Sequence, residues 1–177
     1  MPVTVNPATT AYLVLDLTTA VCAPNPACVA TLPAAADLLA RARAAGALVV
    51  YSKTVTPGDQ VMSQVGPLST DPVVMAKADK FFNTTLDQIL SGHGITTVVI
   101  VGTKSNGAVM YTAYEANVHG YTAVVAEDGI SADTPFIMRY SLFQLLNAPG
   151  FPNAQNAPLA ARAVTLSETN LITFAGN

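Results

Sequence analysis

Thr97-Val98-Val99-Ile100-Val101 runs directly into Gly102-Thr103-Lys104-Ser105-Asn106-Gly107, and a helix-length segment, Ala108 to Val118, follows and is closed by Gly120. An apolar, β-branched run with no polar alternation predicts a central strand buried on both faces. The glycine-bounded turn and the helix after it predict the β-then-α order of a parallel sheet. Outward from this unit the same order repeats. Ala11-Tyr12-Leu13-Val14-Leu15-Asp16-Leu17 reads as a buried strand ending on a carboxylate, and Leu32 to Ala45 as a helix, with Pro33 in its first turn and Gly46 after its last. Ala47 to Ser52 is a second strand, Thr54 to Pro72 a Pro/Gly-bearing loop, Val73-Val74-Met75 a short strand and Thr85 to Ser91 a helix. Beyond the central unit, Tyr121 to Ala126 is a strand followed by Glu127-Asp128-Gly129, and Asp133 to Leu146 is a helix. Asn147 to Pro158 is a loop, and Ala163 to Leu166 begins a final strand pair.

This order implies right-handed crossovers and a three-layer α/β/α architecture with a mostly parallel sheet. In such sheets the ligand crevice lies outside the carboxyl ends of the strands, where the strand order reverses. That rule selects Asp16 with Thr18, the segment Lys77 to Asn83, and the turn from Gly102 to Ala108. With 177 residues and no internal repeat, residues 1–177 are expected to form one domain.

Composition narrows the function classes. At 51% hydrophobic and 11% charged residues the chain is not disordered, yet no apolar run reaches the roughly 18 residues of a membrane helix. A net charge of −3, with eight basic residues spread along the chain, offers no footprint for nucleic acid and no polybasic membrane patch. So few charges on so apolar a chain predict that part of the exterior is covered in a homo-oligomer, a dimer or larger. The N-terminal Met-Pro-Val-Thr-Val-Asn-Pro has no basic region leading into an apolar core, so no secretory signal is expected. Cys22 and Cys28 stand six apart; a disulfide is one reading, and free thiols in a cytoplasmic protein are the expected one.

Three features carry candidate chemistry. Asp16, at the end of an apolar strand, is either a turn or cap residue or a general acid/base whose pKa is raised by burial. Lys77 and Lys80, in Ala76-Lys77-Ala78-Asp79-Lys80-Phe81-Phe82, are either solvated charges flanking a core pair of aromatics or a cationic partner for Asp16. Asn83-Thr84-Thr85 reads as a cap for the helix starting at Leu86. The third feature is the turn Gly102–Gly107, whose N–H groups at a helix start suit developing negative charge. It lacks the Lys-Ser/Thr of a phosphate-binding loop and is not G-x-G-x-x-G, so nucleotide binding is discarded. No metal or other cofactor is expected: His93 and His119 read as helix C-terminal residues and no ligand-spaced cluster accompanies them. No G-x-S-x-G elbow is present, and Cys22 has no positioned base.

Five pieces in order resemble the isochorismatase-like hydrolase superfamily, which includes nicotinamidases, carbamoylsarcosine amidases and isochorismatases. They are Tyr12 to Asp16, Phe81 to Leu86, Gly94 to Gly102, Ala108 to Ala116 and Gly120 to Val125, and the resemblance covers Ala11 to Thr173. It implies a Rossmann-like parallel sheet of about six strands, dimeric or larger assembly, and a small-molecule substrate. The family's amidases use an Asp, a Lys and a nucleophilic Cys. The resemblance places the Asp on Asp16 and the Cys on Ala108, which cannot attack. The Lys position falls on Met75, with Lys77 and Lys80 as substitutes. It implies an oxyanion hole from backbone N–H groups at Ala108 and near Lys104, preceded by a cis peptide at Thr103-Lys104.

Without a thiolate the family's acyl-enzyme route is closed. Three explanations stay open: a vinyl-ether or C–N hydrolase driven by Asp16 as general acid/base, a catalytically silent binding or assembly protein, and an engineered Cys-to-Ala trap. The first is the expected one, with Lys77 or Lys80 setting the Asp16 charge. Thr103, Lys104, Asn106 and Gly107 are then expected to form the substrate and oxyanion side. The crevice segments carry no clustered arginines, so a small or neutral substrate is expected rather than a dianion, and Arg139 is the one arginine that could reach in.

Overall fold

A computed structural model describes residues 1–176. Six strands form one parallel sheet: β2 (Thr10–Leu15), β3 (Leu48–Lys53), β4 (Val73–Met75), β5 (Thr97–Thr103), β6 (Thr122–Ser131) and β7 (Val164–Ser167). Their spatial order is β4-β3-β2-β5-β6-β7. The chain therefore winds one way from β2 and the other way from β5, and the strand order reverses between those two neighbours. This is the α/β architecture that the sequence predicts.

Each central strand is buried on both sides because its alternate residues enter different cores. Ala11, Leu13 and Leu15 join Val98, Ile100, Ala123 and Val125 on one face, against α3 (Leu86–Gly92), α4 (Met110–Val118) and α5 (Pro135–Leu146). Tyr12 and Val14 join Val49, Tyr51, Val99, Val101 and Val124 on the other, beneath α2 (Leu32–Ala44). Covered on both faces, the strands have no solvent side to mark with polar residues.

The structure adds and corrects elements. β1 (Val3–Val5) and β8 (Ile172–Phe174) pair with each other in a separate two-stranded parallel ribbon, so the last two strands, β7 and β8, are not partners. A short helix, α1 (Pro26–Val29), stands in the segment between β2 and α2, to which the sequence assigned no element. β6 continues through Glu127-Asp128-Gly129 instead of turning there, because a bulge intervenes: Ile100 pairs with Val125 but Gly102 pairs with Ile130. The bulged residues are anchored by Asp128, whose carboxylate accepts from the Thr169 N–H and hydroxyl, both at 2.7 Å. Cys22 and Cys28 form a disulfide between two fully buried residues, correcting the expectation of free thiols. The pairing also withdraws one of the two arguments for a cytoplasmic location, since disulfides are rare in the cytosol. Among the described residues no helix is long and apolar enough to cross a membrane.

Candidate active site

The site is assembled where β2 and β5 end side by side. Gly102 makes that approach close: it pairs with Leu15 at φ +143°, and a Cβ there would stand 2.1 Å from the Leu15 carbonyl oxygen. β2 then stops abruptly. Asp16 takes φ 53°, a left-handed conformation that Asp tolerates better than most residues, and its N–H bonds back to Ser52 at the end of β3. The result is a nearly buried carboxylate, 3% exposed, at the topological switch point.

Lys80 is the partner of Asp16. Its ammonium, fully buried, lies 2.7 Å from one carboxylate oxygen, while the Ser52 hydroxyl donates to the other at 2.8 Å. The remaining ammonium donors go to the carbonyls of Ala76 at 2.9 Å and Lys77 at 2.6 Å, so all three are used. The Lys80 backbone is fixed as well: its N–H donates to Thr112 on α4, and its carbonyl accepts the Thr84 hydroxyl at 2.6 Å. Thr84 also accepts the Leu86 N–H at 3.1 Å, which places the capping hydroxyl two residues ahead of the first residue of α3. Of the two candidate lysines, then, Lys80 meets Asp16, while the exposed Lys77 contributes a carbonyl and a side chain at the cleft mouth. Met75 is exposed on β4.

Burial pushes the Asp16 carboxyl above the ordinary carboxylate range; the Lys80 charge and hydrogen bond and the Ser52 hydroxyl pull it down without cancelling the effect. Asp59 behaves oppositely. Burial raises it, but the Ala20 N–H at 2.9 Å and the hydroxyls of Thr19 and Thr54 outweigh burial and hold it below the ordinary range. Asp59 thereby ties the loop after β2 to the loop after β3.

Facing Asp16 is the end of β5, with a cis peptide at Thr103-Lys104. The helix does not begin at Ala108. Ser105 to Val109 form a wide turn in which the Val109 N–H donates to the Lys104 carbonyl five residues back, and regular helix starts at Met110. Gly107 leaves helical geometry inside this turn, at φ −123° and ψ −108°. Asp16, Val21, Lys77, Ala78, Thr103, Lys104, Asn106, Gly107 and Ala108 line one cleft of about 330 Å³. The structure thus brings the predicted residues together, and the Ala108 methyl stands at the base of the turn, 4% exposed. Lys104 reaches outward to an ion pair with Asp133, 2.6 Å away. Arg139, exposed on α5, is not among the cleft residues.

Ser52, Asp59 and Asp133 escaped sequence reasoning. Ser52 had a readable signal, a hydroxyl at the end of Val49-Val50-Tyr51, one strand over from Asp16. His93 and His119 do close helices; His93 Nδ1 lies 2.8 Å from the Ile89 carbonyl, and His119 stacks on Phe81 with ring centroids 4.8 Å apart. Among the described residues no group of three or more His, Cys, Asp and Glu is placed to hold a metal ion.

The isochorismatase domain model matches residues 10–150. Streptothricin hydrolase of Streptomyces noursei is 31% identical over 138 residues, covering 72% of this chain and 51% of that protein. Maleamate amidohydrolase of Pseudomonas putida is 30% identical over 129 residues, covering 58% of this chain and 61% of the other. The chain therefore spans between half and two thirds of these relatives. A cysteine hydrolase structure from Pseudomonas syringae pv. phaseolicola superposes with a TM-score of 0.80 at 20% identity, covering 94% of this chain and 91% of that one, a likeness of fold. With four fifths of its length matched by that domain, the chain belongs to the isochorismatase family of hydrolases.

Proposed function

We propose that the chain hydrolyses a small molecule at a C–N or vinyl-ether bond, with Asp16 as general acid/base and no cysteine nucleophile. The observation that carries this reading is Asp16 itself: a nearly buried carboxyl, held above its ordinary pKa by burial, braced by Lys80 at 2.7 Å and Ser52 at 2.8 Å, in one cleft with Ala108. Both cysteines of the sequence are tied in the Cys22–Cys28 disulfide, so neither supplies a thiolate.

On a vinyl ether, protonated Asp16 delivers its proton to the alkene carbon, leaving an oxocarbenium ion. Water adds to that ion and loses a proton back to the Asp16 carboxylate, and the hemiketal collapses to carbonyl and alcohol. On an amide, the Asp16 carboxylate takes a proton from the attacking water and returns it to the departing nitrogen. Lys80 stabilises the carboxylate in either cycle but has no spare donor for the substrate. Backbone N–H groups of the Lys104–Ala108 turn are the proposed site for developing negative charge, with Thr103, Asn106 and Gly107 beside them. No cofactor is required by these steps, and the assembly we propose is a homo-oligomer.

The test is product formation by mass spectrometry from small amides, ring amides and vinyl ethers, with this chain and with Ala108→Cys. Turnover by the unmodified chain supports Asp16 chemistry. Turnover of amides by the Cys variant alone points to a cysteine amidase disabled at its nucleophile. Silence from both, with ligand binding retained, makes it a binding protein.

A further inference from the structure

The cleft at Asp16 does not end at Lys104. Val21 and Lys104 are also walls of a second cleft, of about 440 Å³, whose other linings include Pro24, Asn25, Pro26 and Asp133. This outer cleft is framed by the loop that the Cys22–Cys28 disulfide closes on one side and by the end of the bulged strand β6 on the other. Its polar groups form one chain: the Lys104 ammonium donates to one oxygen of Asp133 at 2.6 Å, and the Asn25 carboxamide donates to the other at 3.2 Å.

We propose that the outer cleft receives the zwitterionic, amino-acid-like end of the substrate, its carboxylate on Lys104 and its ammonium on Asp133. The proposal rests on the reading of the Asp16 cleft as the reaction site, and it names the class of molecule that reaction serves. The electrostatics select this class. Lys104 and Asp133 are 43% and 44% exposed, so their pairing is solvent-screened and opens at little cost. A ligand with a single charge has to break that pair and leaves one member unmatched. A ligand with both charges exchanges one ion pair for two, and the site stays neutral throughout. Asn25 remains on Asp133 as the pair opens, keeping the carboxylate oriented. Val21 and the prolines at 24 and 26 give the outer cleft an apolar side for the carbon skeleton.

The probes are four primary amides of one skeleton: glutamine, glutaramate without the amine, γ-aminobutyramide without the carboxylate, and butyramide with neither. Binding is measured by calorimetry on the unmodified chain, on Lys104→Met and on Asp133→Asn, with product followed separately. Glutamine is expected to bind at least about tenfold tighter than each of the other three. Lys104→Met should erase the advantage of glutamine over γ-aminobutyramide, and Asp133→Asn its advantage over glutaramate. Equal affinities for the four, no binding of glutamine, or variants that weaken all four alike would overturn the proposal. Selective binding without product upholds the outer cleft and counts against the hydrolytic reading. Product formed with no charge preference does the reverse.

Discussion

At the residue scale the site turns on how one buried carboxyl is held. Asp16→Asn keeps the shape and the Ser52 hydrogen bond but removes the proposed proton carrier, so turnover should fall at least ~10²-fold with the circular dichroism spectrum retained; wild-type rates would remove Asp16 from the proposed mechanism. Lys80→Met acts differently, leaving a nearly buried carboxylate without its countercharge. Its urea midpoint should drop by the equivalent of about 3 kcal/mol, the cost of breaking a buried pair from one side. The pH dependence follows from opposite shifts. Asp16 is raised in the folded chain, so the stability it contributes is present below its unfolded pKa of about 3.9 and is lost as pH rises through the folded value. Asp59 is lowered, so its contribution is present above about 3.9 and is lost as pH falls through its depressed value. Asp59→Asn should therefore flatten the acid side of a urea-midpoint profile while leaving unchanged the loss that Asp16 contributes as pH rises through its folded value. Turnover of a vinyl ether should decline with a midpoint above the ordinary carboxylate range, because only protonated Asp16 donates. Asp16 was legible because a charge after an apolar strand run has few innocent explanations. The choice between Lys77 and Lys80 was not legible, since it depends on the Lys80 backbone being fixed by Thr112, on a helix 32 residues away, together with the nearby Thr84.

Elements bring those residues together, and two of them can be tested by a single substitution each. Gly102 lets β5 lie against the Leu15 carbonyl, where an added methyl would sit at 2.1 Å. Gly102→Ala must displace one of the two strands that end at the site, so a loss of at least ~3 kcal/mol in urea unfolding is expected; a near-neutral effect would mean the strands separate freely. The Cys22–Cys28 link closes a short loop, and the chain-entropy estimate for it is about 2 kcal/mol. The double variant Cys22→Ala, Cys28→Ala should lower the melting temperature by the amount that a reductant lowers it for the parent chain. Strand and helix identities were readable because uninterrupted apolar runs and Pro/Gly punctuation are local signals. The continuation of β6 was hidden, because Glu127-Asp128-Gly129 has turn composition. It stays in the strand through partners that sequence proximity cannot reveal: Thr169 on Asp128, and the Ser131 hydroxyl on Thr103 at 2.7 Å. The disulfide was equally hidden, since spacing alone does not distinguish a pair from two thiols.

For the whole molecule, the covered exterior expected from the low charge count has one candidate location. On α4, Tyr111, Tyr114 and Val118 stand outward at helical spacing, and on α5 Phe136, Tyr140 and Phe143 do the same, all well exposed. Between the two helices runs an apolar groove of about 230 Å³ lined by Met110, Tyr111, Tyr114, Leu145, Ala148 and Pro149. Six large apolar side chains on adjacent helices exceed the scattered exposure ordinary for a monomer, and aromatic residues are the type enriched at interfaces. This face lies on the α3–α5 side of the sheet, so its burial need not close the clefts at the strand ends. We therefore expect the chain to self-associate through α4 and α5 and to keep its ligand access in the assembly. Phe136→Glu combined with Phe143→Glu places two like charges on that face, which a symmetric contact would bring together with their copies. Sedimentation velocity should show the parent chain above monomer mass and the double variant at monomer mass, with Asp16 turnover chemistry preserved. A parent chain that sediments as a monomer would leave the exposed aromatics without this role, and a variant that stays oligomeric would move the interface to another face.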